Sequence, residues 1–328
     1  MKTSIVKKLL MFIAAGLMLA LTACGNVNDY SNEKADDKLK IVTTIFPEYD
    51  WVREILGEKA DEVDLKLLID NGVDLHSYQP TPEDLVTISD CDVFIYVGGE
   101  SDGWVIDAIN NAANKDMVVI RLIDELGGSV KEEEVVEGMQ GEEEKAKGDE
   151  PEYDEHVWLS LKNAQLLCEV IADKLAGIDQ GNGELYKSNA AAYSLKLKEL
   201  DDEYRELIGQ ADNKTLLFGD RFPFRYMADD YDIRYYAAFA GCSAETEASF
   251  ETITFLAGKV DELGLKCVMT IEGGDQKLAE AIIDNTKKKD QKIFTLDSMQ
   301  SVTQKDVENG TTYIGIMKSN LEVLKEAF

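Results

Sequence analysis

Two histidines are all that this chain of 328 residues contains, and each stands in a short segment suited to a bound cation. His76 lies in Asp74-Leu75-His76-Ser77-Tyr78-Gln79-Pro80-Thr81-Pro82, and His156 lies in Asp154-Glu155-His156-Val157-Trp158-Leu159. Neutral imidazole is the commonest protein ligand for borderline transition metals. Two imidazoles with one or two carboxylates suit tetrahedral zinc, at about 2.0–2.2 Å to nitrogen and oxygen. The same set with extra oxygen donors would suit manganese or iron(II), but intrinsic affinity at such a site favours zinc. Binding of this kind needs neutral imidazoles and is expected to weaken as pH falls through the histidine range. A zinc hydrolase is the competing chemistry, with Glu272 or Glu245 as its base. Against it, the chain has no HExxH helix and no GxSxG turn.

The elements that must position these residues alternate short apolar runs with amphipathic stretches. Strands are expected at Lys40–Ile45, Asp64–Ile69, Val93–Val97 and Met117–Leu122, and again at Thr215–Phe218, Lys266–Ile271 and Lys292–Leu296. Helices are expected at Glu48–Leu56, after the capping signal Thr81-Pro82-Glu83-Asp84, and at Trp104–Asn111. Further helices are expected at Leu161–Leu175, Arg225–Asp229, Phe250–Leu263, Gln276–Lys287 and Tyr313–Ala327. A long helical pattern covers Gly183–Ile208. The alternation implies parallel βαβ units in an α/β fold. It predicts two lobes of parallel sheet flanked by helices, an N-terminal lobe over 39–177 and a C-terminal lobe over 213–328. One long rigid helix within 178–212 joins them. Open α/β sheets bind ligands beyond the carboxyl ends of their strands, which places the metal site in the cleft between the lobes. His76, Asp220, Glu272 and Asp297 each follow or end such a strand, and His156 lies past the strand 117–122.

Between Lys131 and Glu155 the composition shifts to twelve acids and three lysines, with few apolar residues and several glycines. This reads as a mobile acidic loop that collects cations. The net charge of −30 excludes nucleic acid and anionic membrane surfaces as partners. Lys2, Lys7 and Lys8 precede the apolar run Leu9–Leu21, which reads as a signal peptide over 1–23. The sequence Leu21-Thr22-Ala23-Cys24-Gly25 resembles a lipoprotein cleavage site with Cys24 as the lipidated residue, and 24–38 reads as a polar tether. The mature chain is therefore expected to be exported and lipid-anchored at the outer face of the cytoplasmic membrane. Of the remaining cysteines, Cys91 and Cys168 read as core, and Cys242 and Cys267 are open to pairing in an oxidising compartment. No CxxC pair is present, so a thiolate zinc cluster is not expected.

From Lys40 to Phe328 the chain resembles the metal-specific solute-binding proteins of bacterial ABC importers, in the zinc and manganese branch. The resemblance rests on Thr43-Thr44-Ile45-Phe46-Pro47 with Asp50-Trp51-Val52, on the His76 and His156 segments above, and on Asn189-Ala190-Ala191-Ala192-Tyr193. It implies a monomer that delivers zinc, or alternatively manganese or iron(II), to a membrane permease. An adhesin of the same fold without metal is a further alternative. By resemblance His76 matches the first metal ligand, His156 the second and Asp297 the fourth. Gly219 stands where the family places its third ligand and offers no side chain. Asp220 is the expected replacement, with Glu245 and Glu247 as further donors in the same lobe.

Overall fold

Continuous apolar strands require cover on both faces, and this chain supplies it twice. The computed structural model describes residues 38–140, 152–243 and 247–328. The expected signal peptide, Cys24 and Glu245 lie outside the described residues. Strands β1 (Lys40–Thr43), β2 (Asp64–Leu67), β3 (Val93–Tyr96) and β4 (Val118–Arg121) form one sheet in the order β2-β1-β3-β4. Strands β5 (Thr215–Phe222), β6 (Arg234–Ala240), β7 (Cys267–Ile271) and β8 (Lys292–Leu296) form a second in the order β6-β5-β7-β8. Every pairing in both sheets is parallel. Central β3 and β7 are buried at each position, whereas edge strand β2 alternates lysine and aspartate outward with leucine inward. Each order reverses next to its first strand, so each sheet opens a crevice at its carboxyl edge.

Helices α1 (Phe46–Leu56), α2 (Pro82–Ser89), α3 (Val105–Asn111), α4 (Leu122–Leu126) and α5 (Leu161–Ile178) belong to the first half of the chain. Helix α2 starts as its sequence predicts. Thr81 Oγ1 accepts from Asp84 N, and Asp84 Oδ2 accepts from Thr81 N, so two otherwise orphaned donors are satisfied.

Helix α6 (Gly183–Gly209) has 27 residues, about 40 Å at 1.5 Å per residue. It packs along α5 and touches α1. Near its start, Asn189 Nδ2 donates to the carbonyl of Ile55 at 2.9 Å. Near its end, the Tyr204 hydroxyl donates to the Met317 carbonyl at 2.6 Å. One helix is thereby fixed to both lobes. The second lobe adds α7 (Arg225–Tyr231), α8 (Phe250–Leu263), α9 (Lys277–Asp284), α10 (Gln304–Glu308) and α11 (Tyr313–Ala327).

Several elements depart from the sequence reading. Strand β6 and helix α10 were not expected. The run Tyr235-Tyr236-Ala237-Ala238-Phe239-Ala240 has no clean two-residue alternation, because an edge strand covered on both faces does not need one. Strand β5 continues four residues beyond Phe218, through a register shift between Phe218 and Arg221. The described ends of the acidic segment are seated rather than free. Glu132 and Tyr153 form an antiparallel bridge, and Gln140 N donates to the Ala238 carbonyl on the β6 edge at 2.8 Å. Val136 and Met139 pack against the core. Composition signalled acidity but not these few apolar anchors. Among the described residues no helix is long and apolar enough to cross a membrane.

The C-terminal helix returns to the first lobe through Tyr313, which is fully buried. Its backbone N–H donates to Asp50 Oδ2 at 2.8 Å, and its ring meets Trp51 edge-on at 5.3 Å between centroids. Its hydroxyl donates to the carbonyl of Trp158 at 2.6 Å, two residues past His156. The indole N–H of Trp158 donates in turn to the Ser298 carbonyl at 2.8 Å. Tyr313→Phe strands the buried Trp158 carbonyl, and a loss of about 1–3 kcal/mol of stability is expected. The midpoint of urea unfolding measures it, and an unchanged midpoint contradicts the role given to this hydroxyl.

Candidate metal centre

His76 sits in a single turn of 3-10 helix, Leu75–Ser77, on the loop after β2. Asp74 opens that turn, and its Oδ1 accepts from His76 N at 2.9 Å. Its other oxygen takes Arg221 Nη2 at 2.6 Å from β5 across the cleft. His156 precedes a matching turn, Val157–Leu159, and Asp154 Oδ1 accepts from His156 N at 2.9 Å. Both histidines are thus presented by the same device, an aspartate two residues upstream that ties down the histidine's own amide.

The two rings converge. His76 Nε2 and His156 Nε2 are 3.1 Å apart, and the ring centroids are 5.1 Å apart. The far nitrogens are held from behind. His156 Nδ1 is 3.1 Å from Asp154 Oδ1. His76 Nδ1 is 2.8 Å from Ser101 Oγ and 3.5 Å from Glu155 Oε2. Ser101 arrives on the turn after β3, and its amide donates to Glu155 Oε1 at 2.8 Å. A carboxylate behind Nδ1 fixes the tautomer that leaves Nε2 free, and it raises the basicity of the imidazole toward a metal. Two nitrogens bound tetrahedrally to one zinc at about 2.0–2.1 Å would lie about 3.3 Å apart. The observed separation is close to that value.

Electrostatics follow from burial. His156 has no exposed surface, and the side chain of His76 is only 7% exposed. Burial drives the His76 imidazole down to about 3, assisted by the positive charge of His156. Burial also opposes charge on His156, but Asp154, by charge and hydrogen bond, and then Glu155 hold that ring above the ordinary imidazole range. The two rings are thus pushed in opposite directions, His76 toward its neutral form and His156 toward its charged one. Burial raises Glu155, whose Oε2 has no hydrogen-bond partner.

The expected carboxylate donors stand apart from this pair. Asp220 Oδ1 accepts from Arg221 N at 2.9 Å, and its Oδ2 is 3.3 Å from Ile271 N. The Arg221 side chain turns away from Asp220 to Asp74. Glu272 accepts from Ser298 N, Ser298 Oγ and Gln300 N, so both of its oxygens hold the loop after β8. Asp297 Oδ1 accepts from Met299 N at 2.7 Å. Burial lifts this carboxyl to about 6, and neighbouring Glu272 adds to the effect. Glu247 is exposed at the wall of a cleft of about 870 Å³ that reaches His76, Asp220 and Glu272.

The third ligand-type atom beside the histidines belongs to Cys242. Among the described residues, His76, His156 and Cys242 are the one group of three whose ligand atoms all lie within 4.8 Å of one another. Cys242 lies in the turn after β6, and its amide donates to Glu133 Oε1 of the seated acidic segment at 3.0 Å. Burial pushes the thiol well up, with Asp154, Glu133 and Glu155 adding. Neither Cys242 nor Cys267 is disulfide-bonded. The sequence reading missed Cys242 because it missed β6. With that strand in place, Cys242 follows a strand end beside β5, where a donor would be sought.

Gly219 is buried against α9. A Cβ there would come within 2.7 Å of Ala279 Cα and 2.9 Å of Ala279 N, so the backbone of α9 closes the position to any side chain.

A family model described as zinc-uptake complex component A, periplasmic, matches residues 41–327. The zinc-binding lipoprotein AdcA of Streptococcus pneumoniae (strain ATCC BAA-255 / R6) is 32% identical over 324 residues, which cover 98% of this chain and 61% of that protein. The chain thus spans about three fifths of that relative's length. The high-affinity zinc uptake system protein ZnuA of Bacillus subtilis (strain 168) is 30% identical over 321 residues, covering 97% of this chain and 96% of that one. The solved zinc-bound ZnuA-like domain of Streptococcus pneumoniae AdcA matches with a TM-score of 0.68 at 29% identity, over 88% of this chain and 98% of that one. The metal-dependent lipoprotein YcdH from Bacillus subtilis matches with a TM-score of 0.71 at 27% identity, over 89% and 99%.

Because Ala279 closes the position, placing a histidine at 219 is expected to damage the fold. Gly219→His lowers the melting temperature, and even Gly219→Ala costs about 1–3 kcal/mol by overpacking. A folded Gly219→His protein of undiminished melting temperature that binds zinc more tightly contradicts this account.

Proposed function

The chain belongs to the zinc-uptake complex component A family, and from that premise we propose that it captures a divalent metal ion, zinc, outside the cytoplasmic membrane and delivers it to an ABC import permease. The observation that carries the proposal is the buried imidazole pair, its Nε2 atoms 3.1 Å apart and its Nδ1 atoms backed by Asp154 and Glu155. Such a pair concentrates lone-pair density at one point from which water is largely excluded. A zinc ion fits there by distance and by donor type, and intrinsic affinity for two imidazoles ranks zinc above manganese. The names of AdcA and ZnuA, a zinc-binding lipoprotein and a zinc uptake system protein, support the same cargo. In this reading His76 and His156 are the metal ligands. Anchorage through a lipid on Cys24 is part of the proposal, and it agrees with the lipoprotein names of the relatives.

The reading is one of capture and release, without catalysis. The lobes enclose the ion, and the Asp74–Arg221 bridge, formed between the two halves of the chain, closes the cleft beside His76. Breaking that bridge with Arg221→Ala is expected to speed zinc dissociation while leaving one ion bound per chain. Stopped-flow transfer of zinc to a chelating dye reads the rate, and an unaltered rate contradicts the closing role.

Calorimetric titration of metal-stripped protein tests the function. One zinc per chain is expected, with affinity lowered at least about tenfold by either His76→Ala or His156→Ala. Unchanged affinity in both variants overturns the site.

A further inference from the structure

We infer that the thiolate of Cys242 is the third protein donor to the ion held by His76 and His156, giving a mixed site of two imidazoles and one sulfur. The inference rests on the metal-binding reading above and adds a donor that the family pattern, with its ligand position at Gly219, does not supply.

Three independent features of the fold bring this sulfur to the pair. The first is distance, since its Sγ and the imidazole nitrogens fall within 4.8 Å of one another. The second is a close backbone approach. A Cβ on Gly241 would lie 3.1 Å from His156 Cε1 and 2.8 Å from the Phe222 carbonyl, so only glycine lets this turn press against the His156 ring. That contact delivers the next residue, Cys242, to the histidines. The third is restraint, because Glu133 Oε1 holds the Cys242 amide at 3.0 Å. Gln140, farther along the same acidic segment, accepts from Ser249 N through Oε1 at 2.8 Å. The acidic segment therefore brackets the loop that carries the cysteine. Of the carboxylates expected as donors, Asp220 and Glu272 have both oxygens taken by backbone amides.

The chemistry of the site changes with this donor. Thiolate and imidazole together suit zinc and cobalt(II), whereas manganese prefers oxygen. Forming the sulfur–metal bond releases the thiol proton to solvent, because the thiolate is the ligand.

Cobalt(II) titration of the metal-stripped full chain and of Cys242→Ser provides the test. The wild type is expected to show visible ligand-field bands with a thiolate-to-cobalt charge-transfer band in the near ultraviolet. Cys242→Ser should keep the ligand-field bands and lose the charge-transfer band, and its zinc affinity should fall at least about tenfold. Ligand-field bands with no charge-transfer band in the wild type, or an equal band in both proteins, would overturn the thiolate while leaving the imidazole site intact. Absence of all cobalt bands would overturn both readings. Should Cys242→Ser fail to fold, alkylation of the wild type mapped by mass spectrometry decides the matter. Zinc is expected to protect Cys242, and equal alkylation of Cys242 with and without zinc would overturn the proposal.

Discussion

Two imidazole nitrogens held within 3.1 Å of each other in a buried pocket cannot both be protonated, and much of the architecture serves to hold them there. Carboxylates behind the rings supply the force. Asp154 and Glu155 are almost completely buried, which is costly for carboxyl groups unless a cation repays it. They face the Nδ1 atoms, so they favour positive charge on the pair without occupying the point between the rings. In the proposed site a divalent ion at the Nε2 atoms answers this demand, because it draws on both rings and both carboxylates together.

The scaffold converts this local demand into a property of the whole molecule. His76 belongs to the first lobe and follows β2. His156 lies where the chain leaves the acidic segment, two residues before Trp158. Trp158 is bonded to the Ser298 carbonyl of the second lobe and to the Tyr313 hydroxyl of the last helix. Movement of the second lobe would therefore be felt at His156, and also at the turn of His76 through the Asp74–Arg221 bridge. Helix α6 limits such movement, being fixed to the first lobe through Asn189 and to the last helix through Tyr204. A rigid spacer with polar ties between the lobes suits the proposed capture and release of an ion.

Much of this was legible in the sequence. The parallel α/β lobes, the long helix and the capped start of α2 follow from periodicity and capping chemistry. Both histidines announced themselves by scarcity and by their acidic neighbours. The surroundings of the two histidines were less legible, because strand ends predict only a neighbourhood. Asp220, Glu272 and Asp297 lie in the expected loops, but backbone amides claim both oxygens of the first two and Oδ1 of Asp297, and no composition rule reveals which carboxylates a turn will consume. The carboxylates beside the imidazoles are Asp154 and Glu155, adjacent to His156 in the chain. Cys242 was hidden behind β6, whose alanine-rich sequence does not alternate. Gly219 read as a missing ligand, and only the approach of Ala279 explains why no side chain stands there.

Zinc-edge X-ray absorption of the protein loaded with one equivalent of zinc tests the central claim most directly, since it reads the atoms around the ion without recourse to variants. Scattering from two imidazoles at about 2.0–2.1 Å and one sulfur at about 2.3 Å is the predicted result. A spectrum fitted by light oxygen donors alone, without imidazole scattering, would contradict it and remove the ion from between His76 and His156.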